Sequence, residues 1–301
     1  MLRYVVIVNS GAVEDYKSYI LFLYRMFTDP KILDLPLPVR YLVATIISII
    51  RPIFGYSKYR MIGKNPLIDT MKLQSERLGK LLEDKGFRVL YSNLYSQPLF
   101  EDVIKEIPSS ATIVVIPQFP QYSSVTTGSI EYRLNKFKGR RIKLIKSYYK
   151  EELFVRMWKE AIWNVWDGEH IVFVAHSIPQ RLQDAGDPYV EEFMESARLI
   201  SEALGVSDYS YAFSSPFPLG RWVGPFVQDV VSSAIDRYGR VLVVPISFVN
   251  EHFETIYDFD IVLRNLAIKR GVKVYKRVKV PYDSPYLIEL YKKLVLEVVD
   301  A

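Results

Sequence analysis

A histidine and three acids are the side chains of this 301-residue chain whose types and spacing point to chemistry. His176 closes an aliphatic run in VFVAHSIPQR, residues 172 to 181. A neutral imidazole with an ordinary pKa of about 6.5 can accept a proton at physiological pH. A histidine after a strand also serves as a hydrogen-bonded structural residue, so position alone leaves both roles open. Ser177 stands beside it, but Ile178-Pro179 follow where a nucleophile elbow needs Gly-x-Ser-x-Gly, which argues against a serine hydrolase.

The second cluster is NEHFETIYDFD, residues 250 to 260. With Asn250 as N-cap, the pattern predicts a helix running to Arg270-Gly271. On it Glu251, Glu254 and Asp258 fall at i, i+3 and i+7 and stack three carboxylates on one face. Acids in a first turn are also what the helix dipole favours, so spacing alone does not decide between chemistry and helix stability. The spacing His252-x-Glu254 is not the His-Glu-x-x-His of zinc peptidases. The chain has no cysteine, which excludes disulfides, thiolate catalysis and cysteine-ligated iron-sulfur clusters. Any metal here must be held by nitrogen or oxygen.

The elements that must position these groups are strands alternating with amphipathic helices. Strand-like runs occur as YVVIV (4 to 8), FRVLY (87 to 91), TIVVI (112 to 116) and IKLI (142 to 145). They recur as IVFVA (171 to 175), YSYAF (209 to 213), VLVVP (241 to 245) and VKVYK (272 to 276). Stretches of helical length such as NPLIDTMKLQSERLGKLLEDKG and PYVEEFMESARLISEALG lie between them and close on glycine. This alternation predicts parallel sheets with helices on both faces. Third and fourth strands start 30 residues apart in the first half and 31 in the second, whereas first and second strands start 83 apart against 38. The surplus falls at YLVATIISII, residues 41 to 50, which reads as an insertion into a duplicated plan.

In open α/β sheets ligands bind at the carboxyl ends of the strands. Those ends lead into Asn9-Ser10-Gly11, Pro117-Gln118, His176-Ser177 and Ser247 through His252. A cleft between two such domains, roofed by the apolar insertion, would be greasy and lined by few polar groups. YLVATIISII carries no charge, is flanked by Arg40 and Arg51-Pro52, and is well short of the roughly 20 residues a bilayer span requires. It is expected either as a buried core helix or as an exposed lip touching lipid or a greasy ligand. Eight basic residues between Arg133 and Lys150, with no acid among them, are expected to be a solvated face, since no base-stacking or phosphate-binding motif accompanies them. The opening MLRYVVIVNSG reads as the first strand of a cytoplasmic protein.

Five motifs in order, PQFPQYSSVTTGS (117 to 129), AHSIPQRLQDAGDPY (175 to 189), SSPFPLGRWVGP (214 to 225), SFVNEHFETIYDFD (247 to 260) and VPYDSP (280 to 285), together with VNSG and YRMIGKNPL, resemble those of the ferrochelatases. These are the enzymes that insert ferrous iron into a porphyrin to make haem. The resemblance implies an α/β, chelatase-like fold of two Rossmann-like domains, their parallel sheets flanked by helices. An N-terminal domain would span 1–150 with the lip at about 29–65. A C-terminal domain would span 151–301, its last helix free to pack back on the first.

On this resemblance His176 and Glu254 are the essential catalytic pair, and His176, Glu254, Asp258 and Glu251 handle the metal. Ser10, Arg51, Tyr59, Ser123, Thr126 and Ser214 contact the porphyrin, Arg51 through a bidentate pair with a propionate. Trp222 matches the family's Trp-x-Gly-Pro turn. Fe²⁺ and a porphyrin, protoporphyrin IX or coproporphyrin III, are then the substrates, with two protons released and no prosthetic group or iron-sulfur cluster. Peripheral membrane contact through the lip is expected, and no nucleic acid. A cobalt or nickel chelatase of a related tetrapyrrole and a non-catalytic tetrapyrrole-binding protein are the alternatives. Ser10, the turn IGKNP and Leu94 depart from the family pattern.

Overall fold

A computed structural model describes residues 2–216 and 220–300; Phe217, Pro218 and Leu219 of the SSPFPLGRWVGP motif lie outside the described residues. The chain divides into two compact units. The first holds the described residues of Met1–Phe119, Ser123–Ser147 and Ile288–Ala301, and the second Pro120–Tyr122 and Tyr148–Leu287.

The first unit comprises β1 (Arg3–Asn9), α1 (Tyr16–Thr28), α2 (Leu37–Met61), α3 (Leu67–Leu82), β2 (Phe87–Asn93), α4 (Phe100–Glu106), β3 (Thr112–Pro117), α5 (Thr127–Leu134) and β4 (Arg141–Leu144). Its strands form one parallel sheet in the order β2-β1-β3-β4. The second comprises α6 (Glu152–Trp163), β5 (His170–His176), α7 (Gln180–Asp184), α8 (Tyr189–Leu204), β6 (Tyr209–Ser214), α9 (Val227–Tyr238), β7 (Arg240–Val244), a π-helical segment Thr255–Leu263, α10 (Arg264–Lys269) and β8 (Val274–Arg277). Its sheet is also parallel and repeats the same permutation, β6-β5-β7-β8. A last helix, α11 (Pro285–Asp300), contributes its residues from Ile288 onward to the first unit.

The central strands β1 and β5 are apolar between their polar end residues because helices cover both faces. Val5 to Val8 and Val172 to Ala175 are all fully buried. Gly86 and Gly205, which end the two quoted amphipathic stretches, both adopt the left-handed conformation that a side chain would disfavour.

Helix α2 departs from the sequence expectation. It extends for 25 residues, through Arg51 and Pro52, rather than ending with the uncharged run. Neither arginine stops it, since straight-chain residues are good helix formers, and Arg51 is open to solvent. Its buried positions are the small residues Ala44, Ser48 and Pro52, spaced at i, i+4 and i+8. Gly55 continues this stripe, and a Cβ there would lie 2.9 Å from the Tyr19 hydroxyl of α1. Small residues let α2 lie close on α1 and turn the large apolar residues outward: Leu42, Ile46, Ile49, Ile50, Ile53 and Phe54 are exposed, Phe54 by 76%. The segment is therefore no core helix. Among the described residues it is the one helix long and apolar enough to cross a bilayer by length and composition, and 17% of its most apolar window is buried.

Candidate active site

In the second unit, β5 delivers His176 at its last position, paired in register with Ser214 at the end of β6. The turn after His176 is fixed by backbone bonds: Ser177 N–H donates to the Ser214 carbonyl at 2.9 Å and Val223 N–H to the Ile178 carbonyl at 3.0 Å. Pro179 and Trp222 pair across an antiparallel bridge, so the Trp-x-Gly-Pro turn braces the histidine loop. The Ser177 hydroxyl donates to the Val223 carbonyl at 2.7 Å, which occupies it and leaves no nucleophile beside the imidazole.

Across from β5, Glu254 brings Oε2 to 3.1 Å from His176 Nδ1. The approach lies off the line of a hydrogen bond, so the link between them is chiefly one of charge. Asp258, one turn on, accepts from the Ser215 hydroxyl at 2.5 Å. Ser215 has a φ of 56°, a strained value for a side-chain-bearing residue, and follows directly on β6.

The helix expected from Asn250 starts instead at His252. His252 Nδ1 accepts from Thr255 N–H at 3.2 Å while Thr255 Oγ1 accepts from His252 N–H at 3.0 Å, a reciprocal cap built with an imidazole. The turns that follow are π-helical, with i→i+5 bonding. Residues i and i+4 remain neighbours, so Glu254 and Asp258 share a side, but Glu251 precedes the cap. Glu251 is buried, its Oε1 receiving Arg277 and the Val280 N–H and its Oε2 receiving the Thr255 hydroxyl. Both of its oxygens thus already hold partners within the protein. Among the described residues no three His, Cys, Asp or Glu side chains gather as a metal cage.

Burial disfavours the His176 imidazolium, yet the facing Glu254 carboxylate and the charge of Asp258 outweigh it and raise its pKa above the ordinary value. His252 goes the other way: burial dominates over Glu254 and Glu251, and its pKa is lowered. Tyr189, at the start of α8, is buried with its hydroxyl pKa raised, first by burial, and it also feels the charge of Glu254.

In the first unit, Asn9 at the end of β1 accepts from Ser10 N–H at 2.7 Å and donates to Gln118, which in turn bonds Gln74. This buried amide chain fixes the loop bearing Ser10. On α2, Arg51 and Tyr59 both interact with the Tyr19 hydroxyl, and the Tyr19 and Tyr59 rings lie 4.7 Å apart. Ser123 and Ser214 are fully buried, and Ser214 donates to the Ala175 carbonyl. Thr126 donates to the Ser123 carbonyl. As placed, Ser123 and Ser214 are turn and strand-end residues rather than surface donors. The basic run is largely matched within the unit: Arg133 pairs with Asp29 and Glu101, Lys146 with Glu131, and Arg140 donates to the carbonyls of Ile104 in the last turn of α4 and Pro108 beyond it.

The family profile described as Ferrochelatase matches residues 4–299. The chain belongs to the ferrochelatase family. The ferrochelatase of Aquifex aeolicus is 32% identical over 98% of this chain and 99% of its own length, and that of Rickettsia bellii is 29% identical over 98% and 87%. Solved structures of similar fold include CbiX, the terminal enzyme of sirohaem biosynthesis in denitrifying bacteria, at a TM-score of 0.58 and 12% identity over 97% of this chain and 98% of that one. SirB from Bacillus subtilis with Fe³⁺ has a TM-score of 0.57 at 13% identity, over 99% and 96%. The chain is thus a metal-chelating lyase of chelatase fold. Ser215, bonded to Asp258 in the second unit, and Tyr19, beside Arg51 and Tyr59 in the first, are partners of expected residues that the sequence reading missed. Tyr19 had a legible signal, since Tyr16/Tyr19 and Tyr56/Tyr59 are matching pairs at i, i+3 on two helices. Ser215 had none, because its role depends on a left-handed turn.

Proposed function

We propose that the protein inserts Fe²⁺ into a porphyrin, protoporphyrin IX or coproporphyrin III, with release of two protons, in haem biosynthesis. The observation that carries this reading is the His176–Glu254 pair at 3.1 Å. A free-base porphyrin holds two pyrrole protons where the metal must go. An imidazole whose pKa is raised is a stronger proton acceptor than an ordinary one, and Glu254 stabilises the imidazolium that forms. Nδ1 is buried against Glu254, so the exposed part of the ring is its other edge, the one available to substrate. Glu254 and Asp258 offer carboxylate oxygens, which hold Fe²⁺ weakly enough for it to be passed on. One Asp258 oxygen is already engaged by the Ser215 hydroxyl, and so small a donor set suits a cation in transit better than a resident one. Arg51 and Tyr59 are assigned to porphyrin propionates. The exposed apolar face of α2, bracketed by Arg40 and Arg51, is assigned to peripheral contact of a cytoplasmic protein with a membrane surface.

The test mixes purified protein, Fe²⁺ and each porphyrin without oxygen and follows the metalloporphyrin absorption spectrum. His176→Ala is run alongside and should bind porphyrin by fluorescence titration without turnover. Absence of insertion by the parent protein with both porphyrins refutes the proposal.

A further inference from the structure

One strand outside the pair holds the segment that carries it. Arg277, the last residue of β8, has a side chain only 6% exposed and extends its guanidinium to two carboxylates at once. Nε and Nη2 meet Oδ1 and Oδ2 of Asp260 at 2.7 and 2.6 Å, a two-point fork, while Nη1 meets Oε1 of Glu251 at 2.7 Å. These partners flank the residues that matter: Glu251 comes three positions before Glu254, and Asp260 two after Asp258. Glu251 passes the constraint on, since its other oxygen accepts from the Thr255 hydroxyl, which in turn accepts from the N–H of the capping His252. The same strand adds a second tie, the Tyr275 hydroxyl donating to the Phe259 carbonyl at 2.8 Å.

A guanidinium fixed by three charge-assisted bonds in a rigid fork defines distance and orientation far better than an ammonium would. The π-helical turns it spans are an uncommon winding that local propensity does not favour, so some restraint from outside must select them. We propose that Arg277 is a positioning residue of the chelatase reaction: its clamp on Glu251 and Asp260 holds the π-helical segment in the register that keeps Glu254 facing His176. Arg277 acts through the helix, not on porphyrin or iron. The inference rests on the iron-insertion reading.

The clamp is best loosened at Asp260, whose side chain is 38% exposed, because cutting Arg277 itself strands two acids and risks the fold. Asp260→Asn should lower kcat for Fe²⁺ insertion by about tenfold or more, the size expected when an outer partner of a working side chain is lost. The KM for porphyrin should stay within about twofold, since the clamp holds reacting groups rather than the ring. Asp260→Glu, which restores the fork's charge, should recover most of the loss, and Arg277→Lys, which keeps charge but not the fork, should behave like Asp260→Asn. Amide exchange supplies a readout independent of turnover: residues 253–263 should exchange about tenfold faster in Asp260→Asn, with β5 unchanged. If the parent inserts no iron, the functional reading fails and exchange alone judges the clamp. Unaltered kcat in Asp260→Asn with only a lowered melting temperature, or unaltered exchange across 253–263, overturns the proposal.

Discussion

Replacing Glu254 by Gln keeps shape and removes one charge 3.1 Å from His176 Nδ1. Two unit charges at that distance interact by about 1 kcal/mol in water and about 5 kcal/mol at an effective dielectric of about 20. Both side chains are about a third exposed, 38% and 33%, so solvent screening places the effect toward the lower bound, at about 1–3 kcal/mol. The interaction is strongest once the imidazole has taken a proton, so its loss falls on the chemical step rather than on porphyrin binding. Turnover should therefore drop by about ten- to a hundredfold, with kcat and kcat/KM falling together. Anaerobic stopped-flow absorption gives kcat, and quenching of porphyrin fluorescence gives the dissociation constant. A variant whose kcat stays within about twofold of the parent would show that the facing carboxylate does not support proton removal, and the charge argument would fail.

Three further outcomes are expected. Because His176 binds its proton more tightly folded than unfolded, the pair's stabilisation is full below about pH 6.5 and is lost as pH rises through the elevated native value; the melting-temperature gap between parent and Glu254→Gln should be wider at about pH 5.5 than at about pH 8.5, and a gap that widens with pH contradicts the sign. Replacing Ile46, Ile49 and Ile50, all exposed on α2, by serine should cut liposome binding with circular dichroism unchanged, whereas loss of helicity would mean that face is needed for folding. Gly11→Ala should cost about 1–3 kcal/mol of stability, since the position has φ +113° and the new Cβ would lie 2.4 Å from Ser96 Oγ; a melting temperature equal to the parent's would show that the loop relaxes freely.

The sheets were legible because double-sided burial leaves runs such as YVVIV and IVFVA with no alternative to a central strand. The equal 30- and 31-residue steps between third and fourth strands also pointed to one repeated plan, and both sheets have the same strand permutation. His176 was visible as the polar end of such a run. The start and winding of the acidic helix were not, because they are set from β8: Arg277 and Tyr275 act on residues 16 to 26 positions upstream, and no local propensity encodes that. Counting uncharged residues also gave too short an α2, since arginines and an interior proline can be tolerated on a helix whose neighbours hold it.

Two histidines near the same acids invite the idea that one could stand in for the other. The cap at His252 forbids it. Its Nδ1 must stay bare to receive the Thr255 amide, and a second proton there would both break that bond and set a positive charge at the positive end of a helix. His176 is stabilised when charged and His252 when neutral, so His252 is no spare base for His176. His252 is thus no understudy for His176, and acid strong enough to charge it would unfasten the helix start that presents Glu254.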